Sequence, residues 1–224
     1  VHGGGFRILS KDTHWVMGLG YARRGFVVFN VSYRLAPKHP YPAAIEDVCH
    51  AFEWAMRAAP ALGGDVRRVV LAGESAGANL VTSLALALAY EREEPFAKRA
   101  FATGIVPRAA VPACGLFQVS DLSRLKRRKP KMSTFIHDRL VEIEEAYLGS
   151  GPWEFGLDLA DPVVALERGA PPARVLPPFF LPVGTRDPLL PDTRRLASAL
   201  RALGGEAVER YYPGEPHAFH AFVV

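Results

Sequence analysis

One serine lies in a glycine-rich turn whose surroundings favour nucleophilic chemistry. The motif Gly-Glu-Ser-Ala-Gly occupies residues 73–77, directly after the apolar run 66–72 and directly before an alanine- and leucine-rich run at 76–90. A tight turn from a strand into a helix exposes a serine hydroxyl to a base and to a carbonyl carbon, and flanking glycines let the two elements pack without a Cβ clash. The pattern predicts that Ser75 is the nucleophile of an acyl-transfer reaction, against the alternative of an ordinary glycine-rich turn.

A histidine and an aspartate follow the last two predicted strands and could activate this serine. Acyl transfer needs an imidazole that accepts the serine proton and a carboxylate that fixes the tautomer of that imidazole. His217 and Asp187 both lie in loops at the carboxyl end of a predicted strand, where open α/β sheets place their sites. We predict that they are the general base and its carboxylate partner. His220 is the alternative base, and Asp192 is the alternative carboxylate, although its position favours a cap for the next helix. Four other histidines are interpreted as surface or packing residues: His14, His39, His50 and His137.

Three consecutive glycines follow His2 and could stabilise the negative oxygen of a tetrahedral intermediate. Without side chains, the backbone of Gly3, Gly4 and Gly5 can approach a substrate closely. Two of their N–H groups can point into a cleft, and the N–H of Ala76 at the start of the predicted helix can add a third. Losing one such donor typically costs about 3 kcal/mol of transition-state stabilisation. His2 is predicted to orient the loop by hydrogen bonds and not to act as the base; a flexible terminal tail is the alternative for the whole segment.

Apolar runs with the pattern of buried strands alternate with helical periodicity along the chain. This alternation predicts an α/β fold with a mostly parallel sheet and helices on both faces. We expect one catalytic domain over residues 1–224, in which residues 118–175 fit the alternation least well and form a partial cap or an insertion. The predicted strands are 25–32, 66–72, 109–117, 178–185 and 206–212, and the predicted helices are 43–59, 75–90, 138–148 and 192–203.

The composition is that of a globular protein without a membrane span. The chain has 224 residues, 49% hydrophobic and 22% charged, with a net charge of +4. The dense basic cluster at 124–131 is interpreted as a solvated surface, with a patch for anionic membranes or nucleic acid as the alternative, and we expect no nucleic-acid partner.

Cys49 and Cys114 lie in apolar stretches without metal-ligand spacing, which favours buried free thiols, a reducing compartment and a cytoplasmic location. No apolar run reaches the ~20 residues of a spanning helix. Because the chain opens on Val1 and not on methionine, we expect a segment upstream of it.

Five blocks of sequence form one combined pattern. The blocks are His-Gly-Gly-Gly-Phe at 2–6, Tyr-Arg-Leu-Ala-Pro-Lys-His-Pro-Tyr-Pro-Ala-Ala at 33–44 with Asp47, Gly-Glu-Ser-Ala-Gly-Ala-Asn at 73–79, Asp-Pro-Leu at 187–189 and Pro-Gly-Glu-Pro-His-Ala-Phe at 213–219. Together they resemble the hormone-sensitive-lipase-like esterases of the α/β-hydrolase fold. The resemblance implies a carboxylesterase that acts on short to medium acyl esters of small molecules, without a cofactor or a metal. It implies that Gly4, Gly5 and Ala76 donate to the oxyanion.

The chain departs from that family's pattern in two places. Glu74 stands where the family usually has aspartate, and the strands and cap helices that family members carry before the glycine loop are not part of this sequence. We therefore expect an N-terminally truncated fragment of such a hydrolase. Two other hypotheses stay open on the same fold, a non-catalytic small-molecule receptor and an inactive remnant. Amide or lactone hydrolysis would use the same residues as ester hydrolysis.

Overall fold

A parallel sheet of four strands forms the centre of the structure, a computed structural model that describes residues 1–221. The strands lie side by side in the order in which they occur along the chain, and each pairs in parallel with its neighbour. The carboxyl ends of all four strands therefore meet at one edge of the sheet, as predicted. The strands are β1 (Val70–Glu74), β2 (Ala109–Ala113), β3 (Phe179–Gly184) and β4 (Ala207–Tyr212).

Helices connect these strands and pack against the sheet. The longest helices begin and end close to the predicted positions. The exception is the predicted helix at 138–148, which begins four residues earlier, at Thr134. The helix that follows β1 packs on β1 and β2, and the helix before β4 packs on β3 and β4. The α-helices are α1 (Trp15–Ala22), α2 (Ala43–Ala58), α3 (Ala76–Ala89), α4 (Pro95–Ala102), α5 (Ser123–Arg128), α6 (Thr134–Leu148), α7 (Pro162–Glu167) and α8 (Leu190–Ala202), and 3-10 turns occupy Lys11–His14, Ala59–Leu62 and Phe219–Ala221.

Helix α3 is buried along its whole length, which explains its alanine- and leucine-rich sequence. Its polar side chains are satisfied inside the protein, as burial of polar groups requires. Asn79 donates to the carbonyls of Leu116 and Ala160 at 2.7 and 2.8 Å, and Ser83 donates to the carbonyl of Leu159 at 2.8 Å. The helix that begins at the glycine-rich turn is therefore tied to the loops above the sheet.

The prediction of a strand at 25–32 is wrong. Residues 26–31 belong to no helix or strand and hydrogen-bond to no strand among residues 1–221, and Phe26, Val27 and Val28 are exposed. A cavity of about 770 Å³ is lined on one side by this segment and on the other by β1. A segment becomes a strand of a sheet only when it hydrogen-bonds to a neighbouring strand. An apolar sequence pattern does not ensure that such a neighbour is present.

The basic cluster is only partly a solvated surface. Arg127 and Arg128 are exposed, as predicted, but Arg124 is buried and forms an ion pair with Asp192. Both cysteines are free and buried, as the sequence indicated. Across residues 1–221, none of the helices has the length and apolar character that crossing a bilayer requires.

Candidate active site

Ser75 occupies a strained turn between β1 and α3. Its backbone adopts φ 53° and ψ −113°, a left-handed region that a residue with a side chain rarely adopts. Three backbone hydrogen bonds hold it there. Its N–H donates to the Ala113 carbonyl at 3.0 Å, and its carbonyl accepts from the N–H groups of Asn79 at 3.1 Å and Leu116 at 3.4 Å. The turn lifts the hydroxyl above the carboxyl edge of the sheet, as the sequence predicted for a nucleophile.

Gly77 lets the first residues of the chain lie directly against this turn. An added Cβ at Gly77 would lie 2.3 Å from the Val1 carbonyl oxygen and 2.4 Å from that of His2. No Cβ tolerates backbone atoms at that distance, so only glycine allows the approach. The glycine motif therefore fixes where the terminal segment runs, as well as the shape of the turn.

A continuous chain of hydrogen bonds joins Ser75, His217 and Asp187. The Nε2 atom of His217 lies 3.0 Å from the Ser75 Oγ, and its Nδ1 atom lies 2.8 Å from the Asp187 Oδ2. The other carboxylate oxygen of Asp187 accepts from the Leu189 N–H at 2.7 Å. The Asp187 side chain is buried, whereas the His217 side chain is 34% exposed. Because the carboxylate accepts the Nδ1 proton, Nε2 is left with a lone pair toward the hydroxyl, which is the tautomer a general base needs.

Backbone contacts between two loops bring His217 to Asp187. After β3, the Thr185 N–H donates to the Tyr212 carbonyl at 2.9 Å, and the Arg186 N–H donates to the Glu215 carbonyl at 3.0 Å. The Thr185 hydroxyl accepts from the Gly214 N–H at 2.8 Å. Parallel pairing of β3 and β4 puts both loops at the same edge, and these bonds set their final separation.

The electrostatics of His217 favour the protonated imidazole. Burial by itself lowers the pKa of His217, but the hydrogen bond and charge of Asp187, together with the charge of Glu74, outweigh it and raise the pKa above its usual value. The same groups that raise the pKa would stabilise the imidazolium that forms when the base accepts a proton.

The glycine loop presents backbone amides beside Ser75. Gly4 and Gly5 have φ of 100° and 58°, and a Cβ on Gly4 would lie 2.2 Å from the Ile8 carbonyl oxygen, so the loop conformation requires glycine. Among residues 1–221, nothing accepts a hydrogen bond from the N–H groups of Gly4, Gly5 or Ala76. Backbone N–H groups without an acceptor are the kind of donor that an oxyanion would require.

His2 is buried in the loop and does not face the nucleophile. Its ring stacks on Tyr33 with the ring centroids 4.2 Å apart, and its Nδ1 donates to the Gly3 carbonyl at 2.8 Å. The Tyr33 hydroxyl lies 3.2 Å from the carbonyls of His2 and Gly3. Burial lowers the pKa of His2 to about 4, so the ring is neutral near pH 7. These contacts agree with a loop-orienting residue. Tyr33 also supports the loop, and the sequence indicated it only as part of the resembling block at 33–44.

Neither alternative residue belongs to the hydrogen-bond chain that joins Ser75, His217 and Asp187. His220 faces Glu74, with its Nε2 atom 3.7 Å from the carboxylate. Asp192 does not cap α8, because Leu189 takes that position and Asp192 lies inside the helix. Its Oδ2 atom instead accepts from the Phe117 N–H at 3.2 Å and pairs with Arg124, so it anchors the loop after β2.

A second Ser-His-Asp contact lies elsewhere on the surface and has a looser geometry. The Ser123 Oγ lies 3.4 Å from the His137 Nε2, and the His137 Nδ1 lies 3.3 Å from the Asp138 Oδ1. Ser123 begins an ordinary helix and has no neighbouring glycine loop.

The Cys114 thiol lies close to Asp187 and His217. Burial raises the pKa of this thiol, so it stays protonated.

Comparisons with known proteins agree on one family. The chain matches the family described as alpha/beta hydrolase fold over residues 1–221. It is 33% identical over 227 residues to the carboxylesterase NlhH of Mycobacterium tuberculosis. That alignment covers 99% of this chain and 65% of the mycobacterial protein. The solved structure of an esterase from Pyrobaculum calidifontis aligns with a TM-score of 0.80 at 29% identity and covers 99% of this chain and 68% of that one. An esterase from the bacterial hormone-sensitive lipase family aligns with a TM-score of 0.75 at 30% identity, with the same coverage of 99% and 68%.

The chain therefore belongs to the α/β-hydrolase family, and the predicted fold is confirmed. Its resemblance to hormone-sensitive-lipase-like esterases is confirmed as well, by the relatives and the structural neighbours together. The chain spans 65% of the length of the mycobacterial relative.

Proposed function

We propose that this chain carries the active site of a serine carboxylesterase, in which Ser75 is the nucleophile, His217 the general base and Asp187 its partner. The observation that carries the proposal is the hydrogen-bond chain of 3.0 and 2.8 Å that joins the three side chains. The strained turn at Ser75 supports it independently, because a surface serine with no chemical role has no need of such a backbone.

The first half of the reaction forms an acyl-enzyme. His217 takes the proton of Ser75 as the hydroxyl attacks the ester carbonyl carbon. The carbonyl oxygen becomes negative and receives hydrogen bonds from the unpaired N–H groups of Gly4, Gly5 and Ala76. The imidazolium, stabilised by Asp187, then gives its proton to the alkoxide leaving group, and the alcohol departs.

The second half returns the enzyme to its starting state. Water takes the place of the alcohol, and His217 removes its proton as it attacks the acyl carbon. The same amides hold the second oxyanion. When the intermediate collapses, the carboxylic acid leaves and Ser75 recovers its proton from His217. No step requires a cofactor, which agrees with the implication of the family resemblance.

Residues 118–175 act in this proposal as a partial cap over the acyl site. Helix α6 supports that role, because Ile143 lies against Gly5, where an added Cβ would come within 2.8 Å of its Cδ1 atom. Phe6, which follows the loop, stacks on Tyr147 of the same helix with ring centroids 3.7 Å apart. In this proposal the side chains of α6 limit the length of the acyl chain, and the substrates carry short to medium acyl groups.

Ester turnover by Ser75→Ala tests the assignment. We expect the variant to lose at least about 10³-fold in kcat on nitrophenyl esters, because the nucleophile is removed while binding remains. A series of nitrophenyl esters from acetate to laurate gives the acyl preference, and an anilide and a lactone measure the competing bond types. A serine-reactive organophosphate labels Ser75 in an esterase and leaves a non-catalytic receptor unlabelled.

Ser123→Ala is the matched control for this experiment. It removes a serine that also contacts a histidine, but at 3.4 Å and at the start of an ordinary helix. We expect its turnover and its labelling to equal those of the parent. Turnover by Ser75→Ala near the parent rate, or loss of turnover in Ser123→Ala with Ser75 intact, would show that the site has been assigned to the wrong residues.

A further inference from the structure

Cys114 is a buried thiol among the residues of the proposed active site, and the mechanism above gives it no role. It follows β2 directly, and it belongs to a small apolar cluster with Val183 of β3, against which Ala218 packs. One donor atom from each of Cys114, Asp187 and His217 lies within 4.8 Å of the other two. The three residues are far apart along the chain, so no ligand spacing of the usual kind marks them in the sequence.

The three side chains offer sulfur, oxygen and nitrogen donors, and this combination selects a class of cation. Thiolate and imidazole are ligands that Zn²⁺ and similar soft or borderline divalent cations accept, whereas Mg²⁺ and Ca²⁺ take oxygen ligands. The thiolate of Cys114 and the carboxylate of Asp187 would balance the two positive charges of such an ion. The buried complex would then carry no net charge, which limits the cost of its desolvation.

The spacing of the donors is close to that of a tetrahedral zinc complex. With a Zn–S bond of about 2.3 Å and Zn–N and Zn–O bonds of about 2.0–2.2 Å, the donors lie roughly 3.4–3.6 Å apart. The His217 Nδ1 and the Asp187 Oδ2 are 2.8 Å apart, so they must separate by about 0.6 Å. The sulfur lies within 4.8 Å of a donor of each partner, so it must approach them by about 1.2 Å at most.

Two of the three ligands are held in place, and the third can adjust. The Cys114 N–H donates to the Pro182 carbonyl at 3.0 Å, and the Asp187 Oδ1 accepts from the Leu189 N–H at 2.7 Å. The side chain of His217 is 34% exposed and lies in the loop after β4. A small rotation of this side chain would bring the donors to the required distances, and its exposed face gives an ion a route from solvent.

We propose that Cys114, Asp187 and the Nδ1 atom of His217 form an inhibitory binding site for Zn²⁺ or a similar soft divalent cation. On binding, the thiol gives its proton to the solvent, and sulfur, oxygen and nitrogen each form one bond to the ion. The proton that Nδ1 carried moves to Nε2 through the solvent, so a neutral imidazole stays neutral. Water supplies the fourth ligand. A metal ion deprotonates the thiol that it binds, which overcomes the effect of burial.

Occupation of this site removes the base from the proposed reaction. Nε2 of His217 then carries the ring proton and directs it at Ser75, so it cannot accept the proton of the serine. The ion takes no part in turnover, and the metal-free protein is the active form. The inhibition rests on the proposed esterase function, whereas the binding of the ion does not.

Inhibition of ester turnover by zinc is the first test, with free Zn²⁺ fixed by a metal buffer. We expect the parent to lose turnover as Zn²⁺ rises, to recover it with a chelator and to be unaffected by Mg²⁺. Cys114→Ser keeps the size of the side chain but replaces the sulfur by a poor zinc ligand. It should keep the turnover of the parent and need at least about 10-fold more Zn²⁺ for half inhibition, because even weakening the support of a ligand costs that much.

Cys49→Ser is the matched control. Cys49 is also a buried free thiol, but it lies in α2 and is not one of the three ligands. We expect its sensitivity to Zn²⁺ to equal that of the parent. A parent whose turnover Zn²⁺ leaves unchanged, equal sensitivity in Cys114→Ser, or loss of sensitivity in Cys49→Ser would each overturn the proposal.

Co²⁺ tests the site without using turnover, because a bond between cobalt and a thiolate gives a charge-transfer absorption. We expect this absorption to reach its full value at one equivalent of Co²⁺ in the parent and in Cys49→Ser, and to be lost in Cys114→Ser. No absorption in the parent, or absorption that survives in Cys114→Ser, would overturn the metal site even in an active esterase.

The cobalt experiment also separates the two proposals. Absorption in a parent that hydrolyses no ester, with its loss in Cys114→Ser, would support the metal site and refute the proposed function. Ester turnover without the absorption would do the reverse. If Cys114→Ser does not fold, Cys114→Ala removes the same sulfur and gives the same comparison.

Discussion

Replacing Asp187 by asparagine should invert the tautomer of His217 while leaving the shape of the site unchanged. Both carboxylate oxygens are used: Oδ2 accepts from His217 at 2.8 Å and Oδ1 accepts from the Leu189 N–H at 2.7 Å. The Leu189 amide can only donate, so the asparagine oxygen must take the Oδ1 position. The NH₂ group must then face His217, and it forces Nδ1 to accept. The ring proton moves to Nε2, which points at Ser75 and cannot accept its proton.

The magnitude follows from the mechanism. Wrong-tautomer substitution of this kind lowers kcat about 10⁴-fold in serine proteases, which corresponds to about 5.4 kcal/mol of transition-state stabilisation. We expect the same order here, because the Asp187 side chain is fully buried and no water can replace it. KM should change little, since the carboxylate does not contact the substrate. The charge that helps to raise the pKa of His217 is also removed, so the acid limb that remains should lie at lower pH.

Steady-state kinetics on a nitrophenyl ester, with thermal melting alongside, measures this effect. Asp138→Asn is the matched control, because Asp138 contacts His137 in the looser surface arrangement and is largely exposed. We expect the control to keep full activity. A folded Asp187→Asn that retains kcat within about tenfold of the parent would refute the tautomer argument, because the known cost of losing this orientation is far larger.

Two further predictions follow from the glycine contacts and from the electrostatics of the base. Gly77→Ala should lower kcat/KM by about 10²-fold. The added Cβ would lie 2.3 Å from the Val1 carbonyl oxygen and must push the adjoining glycine loop away. Gly20→Ala is the control: nothing lies within 4 Å of its added Cβ, so it should keep full activity in the same assay. The kcat/KM profile between pH 5 and 9 should fall on the acid side with a midpoint above 6.5, because the raised pKa of His217 keeps the base protonated, and inactive, to higher pH than usual. An acid limb centred at or below 6.5 would contradict that second expectation.

The sequence contained enough information to locate the three side chains that the structure brings together. Ser75, Asp187 and His217 were each chosen because they follow a predicted strand, and all three predicted strands occur in the structure. Parallel strands must end at a common edge, so the position of each residue along the chain translated directly into a position in space. The roles of these residues in catalysis stay a proposal, whereas their mutual distances are structural facts.

The predictions that failed depended on neighbours that periodicity does not describe. The run at 25–32 has the composition of a buried strand, but it pairs with no strand among the described residues. The position of Asp192 favoured a cap for the next helix, but Asp192 forms an ion pair with the buried Arg124 instead. No local sequence pattern indicates that pair. Each failure concerns a contact between residues distant in sequence.

The glycine loop explains why such distant contacts matter most at this site. The proposed chemistry requires that the amides of Gly4 and Gly5 form no hydrogen bond within the protein, so the loop cannot be ordered in the usual way, by pairing its N–H groups. Its carbonyls are used instead: that of Gly4 accepts from the Arg7 and Ile8 amides at 3.0 and 3.1 Å.

Side chains outside the loop supply the rest of its order. The Tyr33 hydroxyl lies against the carbonyls of His2 and Gly3, and Ile143 of α6 fills the space beside Gly5. A loop that keeps its donors free for an oxyanion must be held by its acceptors and by its neighbours. Any residue that orders this loop is therefore expected to act on kcat without touching the substrate, and such a residue is recognised only once the chain is folded.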